Sequence, residues 1–204
     1  GYRGSGRTYL VADPTEGLIV SVVKGRHWVA QRVPDDKVMI IPNYYVIDKV
    51  DLSDKNNYLG SPDLIDYAIK RGWYNPDKDG EFSFRKAYAS PKTIASKHNI
   101  NRHRQALNYI NGGKYNYSWE TVEAMVTPAK KVDINDLKAI LSTHTKTKKD
   151  GTHPGLICND RTILCAIFQL RNDLPRQIGC IMCAAAGHPC TEAFIPWYLG
   201  ISES

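Results

Sequence analysis

Apolar and polar positions open the chain in a strand-like pattern. Thr8 to Ala12, Leu18 to Val23, His27 to Val33 and Lys37 to Ile41 are rich in β-branched and aromatic residues. The D-P-T-E-G, K-G and P-D-D segments between them supply the fixed or positive φ that tight connections need. The pattern predicts four successive antiparallel strands in one layer. In the second, Leu18, Val20 and Val22 lie on one face and Ile19 and Val23 on the other, which predicts a strand covered on both sides, as in a layered core. The meander ends at Asn43, placed where the last strand runs out.

The period then changes. Residues 43–57 read as an irregular aromatic and acidic loop. Ser61 as N-cap, Pro62 at the first helical position and the stripe Leu64, Ile65, Ala68, Ile69 predict a helix ending at Gly72. Phe84 to Tyr88 is expected helical until Ser90-Pro91. A further helix is expected over about Asn101 to Asn111, with Ala106, Leu107 and Ile110 inward and Gly112-Gly113 ending it. Asp133 can cap another, striped by Ile134, Leu137, Ile140 and Leu141. Thr162 to Leu170 and Ile178 to Ala186 return to buried strands. The order of strands, helices, strands, without internal repeat, is α+β rather than alternating βαβ. A chain of 204 residues is expected to form a single domain over 1–204.

Composition changes this picture little. Hydrophobic content of 42% and charged content of 24% are those of an ordinary globular protein. No apolar run approaches the roughly 18 residues of a bilayer-crossing helix, so no membrane partner is expected. The chain opens G-Y-R-G-S-G without an initiator Met or signal peptide and enters a strand at once, which leads us to expect a piece of a longer or processed protein. No compartment is assigned. The net charge of +6 raises nucleic acid as a partner, but the basic residues are dispersed, concentrating only at Lys97 to Arg104 and Lys146 to Lys149. The second cluster lies in a polar loop.

Candidate chemistry is sparse. Cys180-x-x-Cys183 with His188 and Cys190 has the residue types of a zinc site. In a strand, however, Cys180 and Cys183 point to opposite faces, and their Ile, Met and Ala neighbours favour core cysteines. Five cysteines make an odd number without a regular framework. D-K-D-G at 77–80 lacks the remaining ligand positions of a calcium loop, so no metal and no cofactor is expected. His27, His98, His103, His144, His153 and His188 are scattered and assemble no nucleophilic triad. Asn43 is either a turn residue or an amide held at a strand end and aimed at a substrate carbonyl. Arg102 and Arg104 either clamp a carboxylate or form a solvated helix face.

Six segments together carry a resemblance: G-S-G-R-T-Y-L-V-A-D, H-W-V-A-Q-R-V-P-D-D, I-P-N, S-P-D-L-I-D-Y-A-I-K-R-G-W-Y-N-P, L-I-C-N-D and G-H-P-C-T-E-A-F-I-P-W-Y-L-G-I. In this order the chain resembles bacterial dipeptidases related to the secernins, which are N-terminal-nucleophile hydrolases, and more distantly penicillin V acylase and bile salt hydrolase. The resemblance implies an αββα sandwich with antiparallel sheets. It implies a cysteine-dependent dipeptidase whose N-terminal Cys uses its own α-amino group as general base. None of the five cysteines here stands near a chain start. The resemblance therefore implies that this is an internal or C-terminal portion of the catalytic domain, inactive alone, with the nucleophile on an upstream segment of the same protein. By motif position, Asn43 matches an Asn that contacts the reacting carbonyl, and Arg102 matches an Arg approaching the nucleophile. A dipeptide is then the substrate, nucleic acid is not a partner, and a homo-oligomer is left open. The alternative is a non-enzymatic binding module that uses the basic helix around Arg102.

Overall fold

β1 (Gly6–Ala12), β2 (Gly17–Val23) and β3 (Trp28–Val33) form the expected antiparallel meander. The computed structural model describes residues 6–23, 25–146, 149 and 155–200. Lys24, His153 and most of the 147–154 loop therefore lie outside the described residues, as do the first residues of the G-S-G-R motif and the terminal Ile201. The chain divides into two compact units, the first comprising 1–12, 16–107 and 114–128 and the second 13–15, 108–113 and 129–204.

In the connection between β1 and β2, Thr15 donates its N–H and its hydroxyl to the Asp13 carboxylate (2.7 and 2.6 Å), closing the turn locally. Gly25 at φ +118° makes the next turn. Ile19, Ser21 and Val23 of β2 are buried, whereas Leu18, Val20 and Val22 are only half-buried, so the strand is covered fully on one side.

The fourth strand differs from expectation. β4 (Val38–Met39) leaves the layer and pairs with β6 (Met125–Val126). The edge beside β3 is taken by β5 (Tyr58–Gly60), with Gln31 opposite Tyr58 and Val29 opposite Gly60. Two local features select it. A turn in which Lys37 N–H donates to Pro34 O (3.0 Å) leads off from β3. Asp54 meanwhile ties Asn56 and Asn57 into a turn, and the carbonyls of Asn56 and Asn57 accept from the Arg32 side chain and N–H (2.7 and 2.9 Å). Gly60 permits the approach, since a Cβ there would lie 3.0 Å from Trp28 O.

The core of the first unit gathers Val29, Ile47, Leu64, Ala68, Phe84 and Tyr88, each fully buried. Burying such a side chain contributes roughly 1.5–3 kcal/mol. α1 (Leu64–Lys70) starts later than Ser61 predicts. The Ser61 hydroxyl accepts from Trp28 N–H (3.1 Å) and does not cap the helix. Leu64 and Ala68 are buried, but Ile69 is 41% exposed. α2 (Phe84–Tyr88) is capped by Ser83, and α3 (Pro91–Ile94) begins at the expected breaker Pro91, which sits at the first helical turn where no N–H is needed. α4 (Lys97–Ile110) starts four residues earlier than predicted and ends at Gly112, φ +67°.

In the second unit, β7 (Leu164–Leu170), β8 (Cys180–Ala186) and β9 (Ile195–Tyr198) form an antiparallel sheet in the order β7-β8-β9. The predicted Ile178 start falls in a short helix, α6 (Arg176–Gly179). Ile167, Cys183 and Ala185 face inward. The opposite face is apolar and open: Leu164, Phe168, Ile195 and Trp197, aligned by register, are each more than half exposed. The expectation of two buried strands thus holds for one face only. α5 (Ile134–Leu141) has the predicted Asp133 cap, and Asp136 returns a bond to Asp133 N–H in a capping box.

In α5 the buried residue is Asp136, not Leu137. Asp136 accepts from Lys130 Nζ (2.7 Å) and Tyr109 Oη (3.0 Å), so a carboxylate with filled acceptors sits where an apolar stripe was expected. Lys130 first, then the Asp133 N–H, holds it below the usual carboxylate range. We expect Asp136→Ala to lower the melting temperature more than Leu137→Ala. Asp133→Ala should cost about 1 kcal/mol through the lost cap. Thermal melts of the three variants check this order.

Candidate active site

Asn43 is exposed, while the four residues after it are buried. This abrupt descent has two anchors. Tyr45 Oη donates to Val22 O (3.0 Å), passing over Gly6, where a Cβ would sit 1.9 Å from Val22 O and 2.0 Å from Tyr45 Oη. Only glycine fits there. Tyr44 Oη lies 2.7 Å from His103 Nδ1 and also bonds Tyr117 Oη. Burial raises the Tyr44 pKa, with the Tyr117 bond adding to it, and burial pushes Tyr45 up to about 12.

His103 is 2% exposed. Burial, with the Arg85 charge second, pushes its pKa down from 6.5 to about 4. The imidazole is neutral at neutral pH and can accept from the Tyr44 hydroxyl, which in turn accepts from Tyr117. Arg85 is 1% exposed and bonded through both terminal nitrogens: Nη1 donates to Val122 O (2.6 Å), and Nη2 to Asp48 Oδ2 (3.0 Å) and Glu120 O (3.3 Å), while its buried Nε has no partner among the described residues. Ser83 Oγ donates to the other Asp48 oxygen.

Above these anchors lies a cleft of about 530 Å³. Its lining includes Arg7, Thr8, Asn43, Tyr44, Ser90 and Thr93. Neither Arg7 nor Asn43 engages its side chain with a partner among the described residues, so a guanidinium and an amide are available on one surface, whereas the Thr8, Tyr44 and Thr93 hydroxyls are already bonded within the protein. Such a set can hold a carboxylate and a carbonyl at once.

Of the residues singled out from sequence, Asn43 lines the cleft and Arg102 does not. Arg102 is half-buried, its pKa drawn down by burial, and its Nη2 donates to Asn99 Oδ1 (2.8 Å). Asn99 Nδ2 donates onward to Thr93 O (3.0 Å) on the cleft wall. Arg102 thus reaches the cleft through Asn99. Arg104 is exposed and bonds Asn101 (2.9 Å). Arg7, Ser90 and Thr93 were missed by sequence reasoning. The only available signal for them was polar residues at element ends.

Among the described residues, no group of three or more His, Cys, Asp or Glu could hold a metal ion. Nor, among them, is any helix long and apolar enough to cross a membrane. A second hollow, about 760 Å³, holds His27 Nε2 3.2 Å from Asp63 Oδ2, but its described lining contains no Ser, Thr or Cys nucleophile. The five cysteines all lie between 158 and 190, and none lines either hollow.

A family model described as peptidase family C69 matches residues 1–204. The chain is similar to a probable dipeptidase of Salmonella dublin, 27% identical over 219 residues, covering 98% of this chain and 48% of that protein. It is similar to a probable dipeptidase B of Streptococcus pyogenes serotype M1 (26% identical; 98% and 43% covered). Dipeptidase A of Lactobacillus helveticus is 26% identical over 199 residues, with 91% and 41% covered. The chain spans a little under half the length of these curated relatives.

The neutral state of His103 has a pH signature. Its folded pKa is depressed, so the unfolded state binds the extra proton; stability is full above pH 6.5 and falls as pH drops towards about 4. The loss should reach about 3 kcal/mol. Denaturant melts between pH 7 and 4 should show this slope, and His103→Gln should flatten it.

Proposed function

The chain belongs to peptidase family C69, and on that footing we propose that it is a substrate-binding and scaffold portion of a dipeptidase catalytic domain. The reading rests on one observation above all: Asn43 and Arg7 share a cleft with unspent side chains, in a chain that matches a peptidase family end to end. In the complete enzyme, Asn43 donates to the scissile carbonyl oxygen as charge develops on it. Arg7 pairs with the carboxylate of the dipeptide. Arg102 holds the α3–α4 junction, and so Thr93, through Asn99. It is a positioning residue and not the substrate clamp.

The attacking thiol belongs to a segment outside this chain. Supporting this are the distance in sequence of all five cysteines from the cleft-lining residues, and the length of the relatives. An N-terminal Cys using its own amino group as base would complete the reaction: the thiolate attacks the carbonyl, the amine leaves, and water releases the acyl group. The fold is then one part of an αββα sandwich in a single catalytic domain. The open apolar face of the β7–β8–β9 sheet is what such a layer presents before its partner layer covers it.

A binding module built on the basic helix is the weaker reading. Of its cluster, His103 is buried and Arg102 half-buried, so the helix presents no continuous cationic face.

Steady-state kinetics of the full-length enzyme on a set of dipeptides test the proposal. Asn43→Ala should lower kcat by about a hundred- to a thousand-fold, as loss of an oxyanion donor does, with a near-normal melt. Arg7→Ala should act mainly on KM. The 204-residue chain alone should not turn over dipeptides. Wild-type rates in Asn43→Ala, or turnover by the chain alone, would overturn the reading.

A further inference from the structure

The second unit contains a pair of thiols that the proposed reaction does not use. Cys158 Sγ lies 3.5 Å from Cys190 Sγ. Cys158 is fully buried and Cys190 half-buried. The closeness follows from how both loops are held at the end of α5. Thr143 O accepts from the N–H groups of Ile157 (3.1 Å) and Cys158 (2.9 Å), while Ser142 Oγ donates to Pro189 O (2.9 Å). Asn159 Nδ2 donates back to Ile157 O (3.1 Å). On the other side, Thr191 and Glu192 N–H both donate to His188 O (3.0 Å). Neighbouring residues on one helix end thus fix both cysteine segments, and their approach entropy is already lost on folding.

We propose that Cys158 and Cys190 form an intramolecular disulfide, a covalent modification site that ties the loop before β7 to the loop after β8. A bonded pair of sulfurs lies about 2.05 Å apart, so closure must bring the two sulfurs nearer than their present 3.5 Å. The other cysteines are placed differently. Cys180 and Cys183 point to opposite faces of β8, and Cys165 stands opposite Ala185 in the ladder.

The oxidant is a small-molecule disulfide, and the step is thiol–disulfide exchange. The half-exposed Cys190 attacks as thiolate, forming a mixed disulfide and expelling one small thiolate. Cys158, as thiolate, then attacks Cys190 Sγ and expels the second. One S–S bond forms in the protein and one is broken in the oxidant, and the two protein thiol protons end on the two released thiols. Burial, with the bond to Cys190 second, pushes the Cys158 thiol up to about 11. Closure is therefore the slow step and quickens with rising pH.

The test treats the folded full-length protein with oxidised glutathione, alkylates the remaining thiols and maps peptides by mass spectrometry without reduction. A cross-linked peptide joining Cys158 to Cys190 is expected, formed roughly tenfold faster per pH unit below the Cys158 pKa. The melting temperature should rise by roughly 5–10 °C, from the loop closed in the unfolded chain, and dithiothreitol should reverse it. Cys158→Ser should stop at the mixed disulfide on Cys190. If that variant does not fold, Cys190→Ser should leave Cys158 unmodified. Alkylation of both residues after oxidation, or a cross-link of Cys158 to Cys165 instead, would overturn the proposal.

Discussion

Arg85 is a guanidinium almost wholly removed from water, and that burial constrains the first unit more than any other single interaction. A desolvated charge is tolerated only when it is paired. Here the partners come from separate places in sequence: the Asp48 carboxylate and the carbonyls of Glu120 and Val122, with Trp119 stacked 5.6 Å from the guanidinium carbon. Pairing the two Nη groups of one side chain therefore fixes the 44–48 descent, the start of α2 and the 118–122 loop together. The same charge acts at a distance, since it adds to the burial that keeps His103 neutral. A neutral His103 can accept from Tyr44, and Tyr44 is the residue beneath Asn43.

The cleft is assembled by such supports rather than by the groups that face into it. Tyr45 anchors to β2 across a position that only glycine can occupy. Arg102 secures Asn99, which secures Thr93. Among the described residues, the Arg7 and Asn43 side chains have no hydrogen-bond partner, and Arg7 is carried on the β1–β2 ladder. This division suits a binding surface, where polar groups preorganised by a second layer lose little entropy when a ligand arrives. The β7–β8–β9 sheet follows the opposite logic: one face is closed by its own unit, and the other is an apolar surface of Leu164, Phe168, Ile195 and Trp197.

Much of the local structure was legible in the chain. The three-stranded meander, the Asp133 cap, the break at Ser90-Pro91 and the stop at Gly112 are written in side-chain period and backbone freedom, which act over a few residues. Asn43 could be picked out because it follows a Pro where the sequence pattern predicts a strand end, although β4 itself stops at Met39. What tertiary structure decided was pairing and burial. Nothing in residues 37–41 tells that β4 will leave the sheet, because an edge place goes to whichever segment reaches it in register, and Tyr58–Gly60 does. Leu137 and Asp136 share a helix turn, and only the positions of Lys130 and Tyr109 make the carboxylate the buried one. In sequence Arg85 and His103 look like surface or scattered residues, and Cys158 like an ordinary core cysteine. Their roles depend on partners 32 to 59 positions away. Local propensity carries no information over that distance, and the fold alone brings those groups into contact.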